Sequence, residues 1–209
     1  MPKIVDKDEV RNAILDAALQ VFVEKGYHAA SVSNVAAAVG VAKGTLYIYF
    51  DSKEALTTAL VDRHFASIAE QLMREAPCET LDAFIDGLRR AMDIPADQAS
   101  YYRVFFEVFG PSFASDAFTD NVAKFFDRLG THYAKQIAYL QRVGEVPAHH
   151  DAAATGRALV GMLDGMVLHR GLFGIPERRH RRMTQAAVLL LGEGLRSAPR
   201  KAERSMTQR

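Results

Sequence analysis

The chain has little that would staple it, sink it into a bilayer or charge it strongly. Its single cysteine, Cys78, excludes an internal disulfide framework and a cysteine-built zinc site, and suits a reducing compartment. The longest clean apolar run is the six residues Ala186 to Leu191, far short of the roughly 20 needed to span a bilayer. No apolar signal region follows the opening MPKIVDKDEV, so a cytoplasmic location with no membrane partner is expected. Period-2 alternation and Asn-Gly hairpin signals are missing, as are long-period repeats and low-complexity linkers. Phosphate-binding glycine loops, G-x-S-x-G elbows and H-E-x-x-H runs are also missing. No catalytic residue, metal or cofactor is therefore expected. His149-His150-Asp151 follows Pro147 in a loop, where adjacent side chains rarely converge on one ion. Cys78 has no identifiable histidine partner and is expected to be an idle loop thiol.

Net charge is only +1 over 209 residues, so bulk electrostatics neither demands nor forbids nucleic acid. The charge is unevenly spread: residues 1–50 are neutral, 51–175 carry −5, and 176–209 carry +6. The basic block includes Arg178-Arg179-His180-Arg181-Arg182, which is suited to nucleic acid or an acidic surface, or else to a solvated loop before a frayed end.

What is present is helical spacing. Val10, Ile14, Ala17, Ala18, Val21 and Phe22 make one wide apolar face, closed by Gly26 in a C-cap position. Tyr101, Tyr102, Phe105, Phe106 and Phe109 form a second stripe, and a third runs from Phe118 to Leu140. Prolines 77, 95, 111, 147, 176 and 199 fall between the periodic stretches, where helix breakers belong. The pattern predicts an all-α chain of about nine helices: 8–25, 32–39, 43–49, 53–75, 80–93, 97–109, 116–143, 151–173 and 178–197. A division into domains would fall near Asp51.

The informative segment is SVSNVAAAVGVAKGTLYIYFDSK, residues 31–53. Ser31 is placed to cap a short helix whose inward face is Val32, Val35, Ala36 and Val39. Gly40 permits a left-handed turn, and a helix of two turns restarts at Lys43. Asp51-Ser52 would cap the next helix, with Glu54 three after Asp51 as in a capping box. Two short helices around a glycine turn, leaning on an amphipathic helix, are the parts of a helix-turn-helix DNA reader. In that geometry the second helix enters the major groove and presents Lys43, Gly44, Thr45 and Tyr47, while Tyr49 and Lys53 suit phosphate.

GVAKGTLYIYFDSKEAL, residues 40–56, resembles the signature of the TetR family of one-component transcription regulators, and the likeness extends over roughly residues 8–60. The resemblance implies a three-helix helix-turn-helix domain at 1–51 and a helical ligand-binding and dimerisation bundle at 52–209. It makes Lys43, Gly44, Thr45 and Tyr47 recognition contacts, sets Ser31, Ser33 and Asn34 against phosphate or base, and makes Tyr49 and Lys53 phosphate ligands. Leu46 and Phe50 read instead as core anchors. The partners it implies are a double-stranded palindromic operator, a second copy of the chain, and a small effector that releases DNA.

Eleven of the nineteen aromatics lie between Tyr101 and Tyr139, forming either core or an apolar cavity for a small molecule. Candidate lining residues are Tyr102, Phe105, Phe106, Phe109, Phe126, Tyr133 and His169. Small residues at Ala154, Gly156, Ala158, Gly161, Gly165, Ala186, Ala187, Gly192 and Gly194 suit a four-helix dimer seam, filled by Leu159, Met162, Met166, Leu189 and Leu190. Two other classes compete: a helical ligand-binding protein without sequence-specific DNA reading, and an enzyme using the aromatic cavity.

Overall fold

The computed structural model describes residues 7–74, 76–95, 102, 106–107 and 115–196, and all their regular structure is helical. The helices are α1 (Lys7–Lys25), α2 (Val32–Val39), α3 (Lys43–Tyr49), α4 (Lys53–Arg74), α5 (Leu81–Met92), α6 (Asp116–Arg142), α7 (Ala152–Gly171) and α8 (Glu177–Arg196). Each falls within two residues of the range its periodicity predicts. The ninth predicted helix, 97–109, lies outside the described residues apart from Tyr102, Phe106 and Glu107, which are helical.

Local chemistry sets the ends. Gly26 closes α1 at φ 76°. Thr80 and Ser115 accept from Ala83 and Phe118 N–H at 3.2 and 3.4 Å, opening α5 and α6. Asp151 accepts from Ala153 and Ala154 at 2.9 and 3.0 Å, opening α7. At α4 the structure corrects the sequence. The cap is Ser52 alone, whose Oγ accepts from Ala55 N–H at 3.0 Å, so position N3 belongs to Ala55 and Glu54 lies one residue too early for the box.

Packing proceeds in two stages along the chain. Ile14, Leu15, Ala18 and Phe22 of α1 join Val35 of α2, Leu46 of α3 and Phe50 in a buried nucleus. The expected anchors Leu46 and Phe50 are thus core residues. The long α4 packs on both α1 and α6. Arg63 ties it to α1 by an ion pair to Asp16 at 2.7 Å, and Phe65 stacks on Phe125 of α6 with centroids 4.2 Å apart.

Helices α6 and α7 form the most extensive pair. They cross at Gly156, where a Cβ would stand 2.5 Å from both Gly130 O and Ala134 N, so only glycine lets the backbones meet. Gly156, Leu159 and Met166 are therefore buried inside this chain rather than in an external seam. Helix α8 packs on α5 and α7. The basic run 178–182 is neither loop nor frayed end but the first turns of α8. His180 is fully buried, with Nε2 2.7 Å from the Met92 carbonyl, and Arg181 pairs with Glu177 at 2.5 Å.

Candidate nucleic-acid interface and ligand cavity

The α2–turn–α3 unit is fixed by reciprocal bonds. Asn34 N–H donates to Ser31 Oγ at 3.2 Å, and Ser31 N–H donates to Asn34 Oδ1 at 3.0 Å, a complete capping box. Gly40 adopts φ 79°, ψ 28°, and Val41 N–H returns to the Ala36 carbonyl at 3.0 Å. This left-handed turn swings α3 out after three residues, with Leu46 buried beneath it.

The opposite face of α3 is open. Lys43, Gly44 and Tyr47 are exposed, Thr45 and Tyr49 are half-buried, and Lys43 Nζ sits 5.9 Å from the Tyr47 ring centroid. Ser33 is exposed at the start of α2, whereas the Ser31 and Asn34 oxygens are occupied by the capping box. Lys53 lies apart from this group. Its Nζ donates to the Tyr27 carbonyl and sits 4.1 Å from that ring's centroid, and burial holds its pKa below the usual lysine range. The sequence reading did not single out Ile48, which is 80% exposed on the same face. A large β-branched residue facing water on a two-turn helix was the available signal.

Behind the helix-turn-helix unit, α4 to α7 line a cavity of about 790 Å³. Its body is apolar, built from Phe65, Phe84, Leu88, Phe125, Phe126, Leu129 and Leu163. Of the predicted lining residues, Tyr102, Phe106, Phe126 and Tyr133 are on the wall, and Phe105 and Phe109 lie outside the described residues. His169 is not among the described wall residues; its ring meets Phe173 edge-on at 5.4 Å. Burial raises the Tyr102 hydroxyl's pKa. Tyr102 is seated against Gly171, where a Cβ would come within 2.4 Å of its own.

The wall also carries polar groups that the sequence reading missed. His64 lies on α4 with its pKa lowered by burial, and Gln136 accepts the Cys78 N–H at 3.1 Å. Cys78 lies in the loop before α5, as expected, and lines the wall. Asp164 lies on α7, and burial pushes its carboxyl up to about 6. A lone acid inside the apolar run GlyMetLeuAspGlyMetVal was the sequence signal for it.

A hydrogen bond also links the cavity wall to the end of α1. Phe106 lines the cavity, and the next residue, Glu107, accepts the Tyr27 N–H at 3.2 Å, at the turn that leaves α1. Among the described residues no group of three or more His, Cys, Asp or Glu side chains could hold a metal ion. No described helix is long and apolar enough to cross a membrane.

The arrangement defines a helix-turn-helix unit carried on a helical bundle with a cavity. Comparison with known proteins agrees. Residues 14–60 match the bacterial regulatory proteins of the tetR family. The transcriptional activator FasR of Mycolicibacterium smegmatis is 34% identical over 103 residues, covering 49% of this chain and 40% of FasR. The fatty acid metabolism regulator protein of Bacillus subtilis is 41% identical over 59 residues, 28% of this chain and 30% of its own length. The matching stretch thus spans well under half of either relative. The crystal structure of Bacillus subtilis FadR with stearoyl-CoA superposes with a TM-score of 0.66 at 19% identity, over 88% of this chain and 98% of that one. Residues 14–60 thus carry the regulatory segment of the tetR family, and the chain as a whole shares the fold of that solved structure.

Proposed function

We propose that this protein is a transcription regulator that reads a palindromic operator as a homodimer and is released from it by a small apolar or aromatic effector. Residues 1–51 act as the reader, and 52–209 hold the effector and the dimer face. The observation that carries this reading is the open face of α3. Lys43, Gly44 and Tyr47 project from a helix whose other side is locked by Leu46 and by the turn at Gly40. Lys43 meets base edges or phosphate, Gly44 lets the backbone close on the groove wall, and the Tyr47 ring packs on a thymine methyl. Thr45, Tyr49, Ser31, Ser33 and Asn34 supply surrounding polar contacts. Lys53 serves less by touching phosphate than by fixing the Tyr27 turn. Ile48 adds a second apolar contact beside Tyr47.

Dimerisation is supported by what α7 and α8 leave outside. Leu189 and Leu190 are 65% and 70% exposed, beside exposed Ala186 and Gly194, and α7 adds exposed Ala158 and Gly161. Such a two-fold apolar face belongs against a second copy. The cavity supplies the effector site, and the Phe106–Glu107–Tyr27 connection gives ligand binding a route to the reader. The effector favours the dimer whose α3 helices no longer fit successive grooves, and it acts only through its differential affinity for the two states.

Selection from random duplex DNA, run beside the Tyr47→Ala variant, tests the reading. Wild type alone should enrich a two-fold symmetric motif. Equal enrichment by both proteins, or none by either, would refute the role given to α3.

A further inference from the structure

The acidic wall residue of the cavity carries an inference about what the cavity takes. Several acids that reach other elements are satisfied there: Asp16 pairs with Arg63, Asp127 with Arg157 and Asp82 with Arg196, while Glu107 and Glu145 accept the Tyr27 and Leu81 N–H groups. Asp164 has no hydrogen-bond or ion-pair partner among the described residues, although it is half-buried and lines a mostly apolar space. The other titratable or charged groups sharing that space are His64 from α4, Arg90 from α5, His132 and Tyr133 from α6, and Cys78 and Tyr102 from the chain between. Arg90 is held by Asp86 at 2.8 Å, and burial lowers the His64 pKa, disfavouring its cationic form. Among the described residues none forms an ion pair with Asp164, and burial is the cause of its raised pKa.

We propose that the effector is a lipophilic cation, a monovalent amine or quaternary ammonium, whose charge is met by the Asp164 carboxylate while its apolar body lies among Phe65, Phe125 and Phe126. Each ligand charge has a different consequence here. An anion, such as a carboxylate or an acyl thioester of coenzyme A, adds a second negative charge beside a desolvated one. A neutral ligand displaces water from Asp164 and gives it no partner, which drives it to protonate. A cation replaces the lost hydration with an ion pair and gains from the aromatic faces around it. The stearoyl-CoA of the FadR structure belongs to a chain only 19% identical, and the identity to the fatty acid regulator covers 28% of this chain, so neither assigns an acyl ligand here.

The inference rests on the cavity being the effector site, and the test separates the two. Fluorescence anisotropy with the full chain uses rhodamine 6G, a permanent lipophilic cation, and competition with palmitoyl-CoA supplies the anionic arm. The dye should bind at pH 7.5 and lose about tenfold in affinity in Asp164→Asn. Wild-type affinity should fall as pH drops from 7.5 to 5 and Asp164 protonates, while the Asn variant stays flat, a profile that a packing defect would not produce. Leu163→Trp and, at an exposed wall position, Ala91→Trp should block the dye, with thermal melting checking that each variant is folded. Equal dye affinity in wild type and Asp164→Asn overturns the proposal. So does binding of palmitoyl-CoA, but not the dye, in a manner blocked by either tryptophan; in that case the cavity remains the effector site. If neither probe responds to the blocking variants, the effector reading of the cavity falls as well.

Discussion

The first 50 residues and the bundle behind them solve opposite problems. In α1 to α3 almost every local choice is spent on rigidity: a complete capping box at Ser31 and Asn34, a left-handed glycine at 40, and buried anchors at Leu46 and Phe50. The bundle keeps slack. It encloses about 790 Å³, and His150 Nε2, Arg170 Nε and Thr184 Oγ1 are buried without a hydrogen-bond partner among the described residues. A unit that must match a fixed groove gains from having one conformation. A unit that must shift between two packings needs weaker satisfaction somewhere.

The largest effect should come from removing slack where there is none. Gly156→Ala pushes a methyl into the α6 backbone at 2.5 Å and should cost about 3 kcal/mol in chemical denaturation, with the reader's own contacts untouched. Next comes the reading face. Lys43→Ala and Tyr47→Ala should each weaken a selected operator by about 1–3 kcal/mol without lowering the melting temperature. Replacing Leu189 and Leu190 together by Glu should yield folded monomers in sedimentation, because both side chains are already in water in the single chain.

A pH prediction sharpens the contrast further. The folded-state carboxyl of Asp164 is raised to about 6, so the native state holds this proton more tightly and stability falls as pH rises from about 4 through 6. Asp164→Asn should therefore stabilise the protein by about 1 kcal/mol at pH 8, after allowance for solvent screening, and leave it unchanged near pH 4. His64, with its pKa lowered by burial, acts in the opposite sense, weakening the fold as pH falls below the usual histidine range. The smallest effect is reserved for the joint. Glu107→Ala should cost about 1 kcal/mol or less of stability. It should still reduce the response of operator binding to effector, read by titrating operator affinity at saturating ligand.

Much of this organisation is legible in the sequence because its helices are separated by their own breakers. The turn could be placed from Gly40, and the inward face of α3 from Leu46 and Phe50. What was not legible depends on partners distant along the chain. Lys53 reads from the sequence as a phosphate ligand, and its bond to the Tyr27 carbonyl is a partner that spacing alone does not show. His180 looks like part of a solvated basic run until the Met92 carbonyl, 88 residues away, claims its ring. The small residues of α7 show the same limit. Spacing reveals that α7 has close-packing positions, yet Gly156, Leu159 and Met166 turn towards α6 and the core while Ala158 and Gly161 turn outward. Composition cannot say which face meets which neighbour.

In the proposed function two copies of α3 read one symmetric site. Hydroxyl-radical footprinting on the selected duplex tests it most directly. Two equivalent protected segments related by two-fold symmetry are expected, with centres about one helical turn or a multiple of it apart, and both should fade in Tyr47→Ala. A single protected segment, or a footprint that Tyr47→Ala leaves intact, would contradict it.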